Sequence, residues 1–273
     1  MDGSRRSKFD LTGRVAVVTG AASGLGKAIS IGLAEEGAAV AAADINDSGA
    51  GQTADLIRAS GGRAIAVAVD VTDPARVDAM FERVVSELGP IDILVNDAFV
   101  PSPKVVSELT PLDAWERVLR VNLTGYFLCA QGAGRRMIAT GRGGSIVNLS
   151  SITATTGTGR GLLGYGVSKS GINQLTRELA VEWARYKIRV NAIQPCQILT
   201  PALQALLDDP ANEGEALVRD FLRGIPIGRL GTPEDIVGPV IFLASDAAAL
   251  VTGVLLPVDG GNLAMNAGGS LAR

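Results

Sequence analysis

The sequence contains no histidine, and this absence removes several common kinds of active site. It excludes Ser-His-Asp and Cys-His catalytic sites and every His-ligated zinc or iron site. Cysteine is scarce as well: Cys129 and Cys196 lie far apart and form no CxxC pair. They predict neither a disulfide framework nor a thiolate metal cage, and they suit a reducing, cytoplasmic compartment. We therefore expect no metal site, and acid–base chemistry near neutral pH must use Tyr, Lys, Asp, Glu or Cys.

The sequence also lacks a basic surplus and a long apolar run. Its 273 residues contain 25 Lys and Arg against 28 Asp and Glu, which gives a net charge of −3. A nucleic-acid-binding protein would be expected to be basic. No stretch approaches the roughly 18 unbroken apolar residues of a membrane span, and residues 1–10 contain no apolar segment of a secretory signal. We expect neither a nucleic-acid nor a membrane partner.

Short apolar runs alternate with helical periodicities along almost the whole chain. A helix is predicted at 73–88, with Asp73 as its N-cap and Gly89-Pro90 at its end. Strands that alternate with helices are parallel and joined by right-handed crossovers. The fold class is therefore α/β, a single doubly wound, Rossmann-like parallel sheet with helices on both faces. The predicted strands are 14–19, 38–44, 64–69, 91–96, 145–149 and 188–193.

One domain is expected from residue 11 to residue 265, with a flexible N-terminal arm at 1–10 and a C-terminal tail at 266–273. The segment 199–227 is polar and interrupted by proline, which is typical of a lid. Long helices at 113–139 and 164–186 carry apolar residues on more than one face. Such helices need cover besides their own sheet, so the sequence favours a homo-oligomer.

A glycine turn follows the first predicted strand and opens a helix that runs through residue 36. It reads Thr19-Gly20-Ala-Ala-Ser23-Gly24-Leu25-Gly26. Glycines here let the backbone approach a pyrophosphate, whose charge the N–H groups at the helix N-terminus stabilise. The alternative is that these glycines serve only tight packing of helix on strand.

Two aspartates end the next two strands. Asp44 lies some twenty residues after the glycines, where a carboxylate can accept hydrogen bonds from the adenosine ribose diol. The alternative for Asp44 is a plain helix cap, although Asn46 and its neighbours can cap that helix without it. Asp70 could bind the adenine edge or cap a turn, and the sequence does not separate these two roles.

Tyr165 and Lys169 lie four residues apart in a predicted helix and so share one face. The ammonium is expected to favour the phenolate and to lower the tyrosine pKa from about 10. A surface pair without function is the alternative. Ser150 and Ser151 end the fifth strand, where a hydroxyl can donate to a substrate carbonyl or can merely cap a turn.

In this order and spacing, the motifs resemble those of the short-chain dehydrogenase/reductases over about residues 9–265. The resemblance implies that Tyr165 is the general acid/base, that Ser151 polarises the carbonyl and that Lys169 lowers the tyrosine pKa and binds the nicotinamide ribose. It also implies that Asn122 holds the water of a proton relay. The residues that match or that would bind the cofactor are Gly20, Ser23, Gly24, Leu25, Gly26, Asp44, Asp70, Val71, Asn96, Ala98, Asn122, Ser151, Tyr165, Lys169, Pro195, Ile198, Thr200 and 258–261.

Three departures from the family pattern concern the pocket. The usual Asn-Asn-Ala-Gly is here Asn96-Asp97-Ala98-Phe99, and the usual Pro-Gly is Pro195-Cys196. The loop between Ser151 and Tyr165 is one residue longer than is common. We interpret these changes as a reshaped pocket with its chemistry retained.

The resulting hypothesis is an NAD-dependent oxidoreductase that interconverts a secondary alcohol and a ketone, with a polyol, sugar or sugar acid as substrate. Gln197 and Arg160 would suit a hydroxylated or acidic substrate, but Arg160 could equally be a solvated loop charge. An NADPH-dependent 3-ketoacyl-type reductase is an alternative that Asp44 disfavours. A non-catalytic, nucleotide-binding regulatory protein is a second alternative, and an epimerase or dehydratase is disfavoured. We expect a homotetramer, and the resemblance supports it, since most relatives pair through the two long helices.

Overall fold

The computed structural model describes residues 7–210 and 213–265 of the chain. Residues 1–6 of the predicted arm and the whole predicted tail at 266–273 lie outside the described residues, as do residues 211 and 212 of the predicted lid. The beginning of the described chain packs against the domain: the Lys8 carbonyl accepts a hydrogen bond from the Ala247 N–H, and Leu11 is fully buried.

The described residues form one parallel sheet flanked by helices. The strands are β1 Val15–Thr19, β2 Ala39–Asp44, β3 Ala64–Ala68, β4 Ile93–Asn96, β5 Gly144–Leu149, β6 Ile188–Pro195 and β7 Leu255–Val258. The helices are α1 Gly24–Glu35, α2 Asp47–Ala59, α3 Pro74–Glu87, α4 Leu112–Leu119, α5 Gly125–Thr140, α6 Leu163–Trp183, α7 Pro201–Asp208, α8 Gly214–Leu222 and α9 Pro233–Ala244. The strand order is β3-β2-β1-β4-β5-β6-β7, and every pairing is parallel.

This topology confirms the predicted fold class. All six predicted strands are present with ends shifted by two residues or fewer, and β7 is a seventh strand that the sequence analysis did not predict. One face of the sheet packs against α1 and α9 through residues such as Leu33 and Val240. The other face packs against α3, α5 and α6 through residues such as Phe81, Met137 and Leu179.

The start of α3 follows the predicted capping pattern. Asp73 is the N-cap, and its Oδ1 accepts hydrogen bonds from the N–H groups of Ala75 at 2.9 Å and Arg76 at 3.2 Å. Pro74 occupies the first turn, where the missing N–H costs nothing. The helix buries Val77 and Phe81 with the predicted spacing. The predicted helix at 73–88 is therefore confirmed.

The prediction of one continuous helix at 113–139 is wrong. The structure divides it into α4, a π-helical turn at Arg120–Thr124, and α5. Asn122 in this turn is fully buried, and its side chain holds the backbone of Val100: Oδ1 accepts from the Val100 N–H at 2.8 Å, and Nδ2 donates to the Val100 carbonyl at 3.0 Å. A π-turn places one more residue in the turn than an α-helix does, so the apolar spacing alone does not reveal it.

The candidate site residues lie at the carboxyl edge of the sheet. Crossovers from β1 lead towards β2 and β3 on one side, whereas β4 lies on the other side of β1. In such a sheet the loops leave a crevice beyond the carboxyl ends of the strands, where the order reverses. Thr19, Asp44, Asn96 and Leu149 each end a strand at this edge. No helix in the described part of the chain is long and apolar enough to cross a membrane.

Candidate active site

A cavity of about 490 Å³ opens beyond the carboxyl ends of the strands. Its walls include most of the site residues that the sequence analysis selected. They are Gly20, Ser23, Gly24, Leu25, Asp44, Asp70, Val71, Ala98, Ser151, Tyr165, Lys169, Pro195, Ile198 and Thr200. Gly26, Asn96 and Asn122 are buried in the structure behind these walls.

The glycine turn requires glycine at two of its positions for steric reasons. Gly20 adopts a φ of +74°, and a Cβ there would lie 2.9 Å from the backbone nitrogen of Ala98. A Cβ at Gly26 would collide with the carbonyl of Gly20. The turn therefore brings bare backbone and the first N–H groups of α1 to the cavity. Ser23, the N-cap of α1, makes no side-chain capping bond within the described chain.

Asp44 stands at the far end of the cavity from Tyr165. Its Oδ2 accepts a hydrogen bond from the Ala22 N–H at 3.0 Å, and its Oδ1 accepts one from the Asn46 N–H at 2.9 Å. Asn46 caps α2 by accepting from the Gly49 N–H at 3.1 Å, so Asp44 is not the helix cap. Each carboxylate oxygen has further lone pairs with which it can bind a diol.

Asp70, which follows β3, is held by the turn that it begins. Its Oδ1 accepts from the Thr72 N–H at 2.9 Å and from the Thr72 hydroxyl at 2.8 Å. The turn-capping role left open by the sequence is therefore present, while the residue also borders the cavity beside Val71. The glycine turn, the N-terminus of α1 and the carboxylates together fit a dinucleotide. Its pyrophosphate needs N–H donors, and its ribose diol needs a carboxylate acceptor.

Lys169 is buried at the opposite end of the cavity. Its Nζ donates to the Leu149 carbonyl at 2.6 Å and to the hydroxyl of Tyr126 at 3.3 Å. The ammonium also lies 5.6 Å from the centroid of the Tyr165 ring. Burial lowers the pKa of Lys169 to about 8, while the carboxylate of Asp97 acts to raise it. The predicted proximity of Tyr165 and Lys169 on one helix face is confirmed.

The predicted direction of the Tyr165 pKa is wrong in this structure. Burial raises the pKa of Tyr165 to about 12; a hydrogen bond with Ser151 acts to lower it, and the nearby carboxylate of Asp97 raises it further. The expectation rested on the ammonium charge alone. The largest effect on the Tyr165 pKa is instead the removal of the phenolate from water, because desolvation penalises the charged form.

The two serines after β5 have different surroundings. The Ser150 hydroxyl lies 2.7 Å from Oδ1 of Asn173 and 3.2 Å from the carbonyl of Lys169, so it fixes α6 against the sheet. The Oγ of Ser151 accepts from the Thr153 N–H at 3.2 Å and faces the Tyr165 hydroxyl. Ser151 thus caps a short turn and also borders the reactive end of the cavity.

The residues that depart from the family pattern line the cavity. Asp97 is 8% exposed, and burial raises its pKa to about 7 despite the opposing effect of the Lys169 charge. Phe99 is half exposed at the cavity wall, and Cys196 lies on the wall beside Pro195. Burial raises the pKa of the Cys196 thiol to about 11, which keeps it protonated near neutral pH. These contacts agree with the interpretation of a reshaped pocket.

Two further candidates, Asn96 and Arg160, do not line the cavity. Asn96 is buried beneath the site, where its Nδ2 donates to Oδ1 of Asn148 at 3.0 Å. Arg160 lies with its guanidinium 4.8 Å from the centroid of the Phe221 ring on α8, so it joins the loop before α6 to the predicted lid. The sequence analysis missed Tyr126 entirely, because its contact with Lys169 spans 43 residues of sequence.

Comparison with known proteins finds relatives along nearly the whole chain. A family model described as enoyl-(acyl carrier protein) reductase matches residues 20–262. The chain is 43% identical over 252 residues to cis-4-hydroxycyclohexanecarboxylate dehydrogenase of Sinomonas cyclohexanicum, covering 92% of this chain and 97% of that protein. It is 42% identical over 253 residues to D-threitol dehydrogenase of Mycolicibacterium smegmatis, covering 93% and 94%.

The fold is also similar to solved structures. The crystal structure of a gluconate 5-dehydrogenase from Burkholderia cenocepacia, in complex with NADP and tartrate, superposes with a TM-score of 0.87. That protein is 35% identical, and the match covers 95% of this chain and 98% of the other. The protein is an oxidoreductase that acts on CH–OH groups with NAD or NADP. The nearly complete coverage shows that the chain belongs to the short-chain dehydrogenase/reductase family.

Proposed function

We propose that the protein is an NAD-dependent dehydrogenase that oxidises a secondary alcohol of a polyol, sugar or sugar acid to a ketone, reversibly. The observation that carries this proposal is the placement of Ser151, Tyr165 and Lys169 at one end of a cavity whose other end holds the glycine turn and Asp44. The substrate class is supported by relatives that are dehydrogenases of D-threitol, gluconate and a hydroxycyclohexanecarboxylate.

The dinucleotide would be held along the cavity by backbone and side chains. The N–H groups of the turn Gly20–Gly26 would bind the pyrophosphate, and Asp44 would accept hydrogen bonds from the adenosine ribose diol. Asp70, Val71, Ile198 and Thr200 line the cavity; Asp70 and Val71 would border the adenine, and Ile198 and Thr200 the nicotinamide. Preference for NAD rests on Asp44, because a 2′-phosphate in its place would bring two negative charges together.

Tyr165 would take the proton of the substrate hydroxyl. Its pKa of about 12 is too high for a base near neutral pH, so positive charge must come close to the phenol oxygen. Lys169 provides one such charge from the next turn of α6. The oxidised dinucleotide, when bound, supplies the hydride acceptor and a second positive charge. Ser151 would donate to the substrate oxygen as it becomes a carbonyl.

Asn122 would act by holding the backbone of Val100 beside the cavity. Its side-chain oxygen and nitrogen both hydrogen-bond to the Val100 backbone, so the proposed relay water would be held by groups of the π-helical turn and by Lys169. Turns of this kind are frequent at functional sites. The proton would leave Tyr165 towards Lys169 and this water.

We also propose a cytoplasmic homotetramer of one-domain subunits, residues 11–265, in which 199–227 closes over the substrate. The assembly is supported by large apolar side chains exposed on α4 and α6: Leu112 is 70% exposed and Val181 is 79% exposed. Such side chains gain stability when a second subunit covers them. The lid is supported by two short helices, α7 and α8, that follow Thr200.

A substrate screen tests the proposal. The purified protein is incubated with NAD and with polyols, sugar acids, 3-hydroxyacyl compounds and steroids, and NADH formation is followed by absorbance. Tyr165→Phe is the matched control, because it removes one hydroxyl group. We expect turnover of a polyol, sugar or sugar acid that depends on Tyr165. Turnover confined to 3-hydroxyacyl compounds, or no turnover at all, would contradict the proposed function.

A further inference from the structure

Tyr126 is a fully buried tyrosine in the first turn of α5, directly behind the catalytic lysine. It is 1% exposed, and Lys169 is 3% exposed. The Tyr126 hydroxyl donates to the Leu149 carbonyl at 3.1 Å, which fixes the direction of its O–H. The same oxygen accepts from Nζ of Lys169 at 3.3 Å, and the ammonium lies 5.1 Å from the centroid of the Tyr126 ring.

These contacts leave the ammonium one free donor. Nζ has three N–H donors, of which one goes to the Leu149 carbonyl and one to the Tyr126 hydroxyl. Tyr165 and Lys169 border the cavity, whereas the fully buried Tyr126 does not. The remaining donor is therefore the one that can serve the cavity, towards the Tyr165 side. A lysine ammonium sits on a flexible four-carbon chain, so two hydrogen bonds to fixed acceptors restrict its position strongly.

We propose that Tyr126 is a positioning residue that holds the Lys169 ammonium charged and aimed at the catalytic end of the cavity. This inference rests on the proposed function, since it assigns a partner to Lys169 in that mechanism. The ring contributes a cation–π contact and the hydroxyl contributes a hydrogen bond, and both favour the charged form. Without them the buried ammonium loses one of its two acceptors and tends towards the neutral amine.

The Tyr126 hydroxyl itself does not titrate in the working range. Burial raises the pKa of Tyr126 well above its usual value, so the group keeps its proton and its two hydrogen bonds. The other titratable groups that act on this cluster are Asp97 after β4, with Asp44 acting on Asp97, Cys129 on α5, and Tyr165 on α6. A change confined to the Tyr126 hydroxyl leaves all of these in place.

The test compares Tyr126→Phe with Tyr186→Phe, since these two and Tyr165 are the three tyrosines of the chain. We expect Tyr126→Phe to lower kcat for alcohol oxidation about 10-fold at pH 7, with little change in the KM for the alcohol. A hydrogen bond to a charged group has about this effect. The acidic limb of kcat/KM should move up by about one pH unit, because a weaker positive charge raises the Tyr165 pKa. Tyr186→Phe should match the wild type.

A double-mutant cycle separates positioning from mere packing. The dissociation constant for NAD is measured by tryptophan fluorescence in Tyr126→Phe, Lys169→Met and the double variant. We expect Tyr126→Phe to weaken NAD binding several-fold alone and to have no effect when Lys169 is already Met. Additive effects, or an unshifted pH profile in Tyr126→Phe, would overturn the inference. An inactive wild type would instead contradict the proposed function.

Whether each variant of this cycle folds is a further test of the inference. If Tyr126→Phe fails to fold, the double variant with Lys169→Met should fold, because it contains no buried ammonium that needs an acceptor. That rescue would support the inference. Failure of both Tyr126→Phe and the double variant, with Lys169→Met alone folded, would show that the hydroxyl serves packing only and would overturn it.

Discussion

The cofactor preference can be reversed at two neighbouring positions, Asp44 and Ile45. Asp44 ends β2 with one hydrogen bond from a backbone N–H to each carboxylate oxygen, and both oxygens retain lone pairs for the ribose diol. Ile45 borders the cavity and is 72% exposed, so an arginine fits there without repacking the core. Asp44→Ser with Ile45→Arg should exchange a diol acceptor for a phosphate donor.

The magnitude follows from the contacts that change. Two charge-assisted hydrogen bonds to the diol contribute about 1.5 kcal/mol each, or about 3 kcal/mol together. Repulsion between the Asp44 carboxylate and a 2′-phosphate adds about 1 kcal/mol per charge at roughly 4 Å in a solvent-exposed setting. Each 1.4 kcal/mol corresponds to a tenfold ratio. The wild type should therefore prefer NAD over NADP by at least about 100-fold in kcat/KM, and the double variant should prefer NADP.

The assay is kcat/KM for NAD and for NADP with one substrate from the screen. Asp47→Ser is the matched control, since Asp47 is exposed at the start of α2 and the substitution removes the same charge nearby. The control should retain the wild-type preference. Comparable kcat/KM for both cofactors in the wild type would refute the role of Asp44, as would an equal effect of Asp47→Ser.

Three further predictions concern stability, motion and assembly. Because burial raises the pKa of Asp97 to about 7, the free energy of unfolding should fall as the pH rises from about 4 to about 7, by at most about 4 kcal/mol. Asp97→Asn should lack that fall in urea unfolding, and equal pH slopes would contradict this. Hydrogen exchange in 199–210 and 213–224 should slow when NAD and substrate are added, and unchanged protection would contradict a lid. Light scattering should show a tetramer, whereas a monomer of about 28 kDa at micromolar concentration would contradict the assembly.

The fold was predictable because its strands are nearly continuous apolar runs. Strands such as β1 and β4 are buried on both faces, so their sequences do not alternate and are readily separated from the helices. The strand β7 was not predicted because it has only four residues, contains Pro257 and lies at the sheet edge, half-buried. A short edge strand carries little apolar signal, and proline weakens what remains.

The candidate site was predictable where spacing alone brings residues together. Tyr165 and Lys169 share a helix face, and Asp44 follows the glycine turn by a fixed crossover. Tyr126 depends instead on the packing of α5 against β5 and α6, which no local pattern reports. The raised pKa of Tyr165 also depends on burial in the assembled fold, since the sequence shows the nearby charge but not the loss of water.

The central claim is that Tyr165 exchanges the proton of the substrate hydroxyl. The most direct measurement is kcat of Tyr165→Phe, with the NAD dissociation constant determined by fluorescence on the same preparation. We expect a loss of at least about 100-fold in kcat, the scale of a missing general acid/base, with NAD binding close to that of the wild type. A Tyr165→Phe protein that binds NAD normally and keeps the wild-type kcat would contradict it.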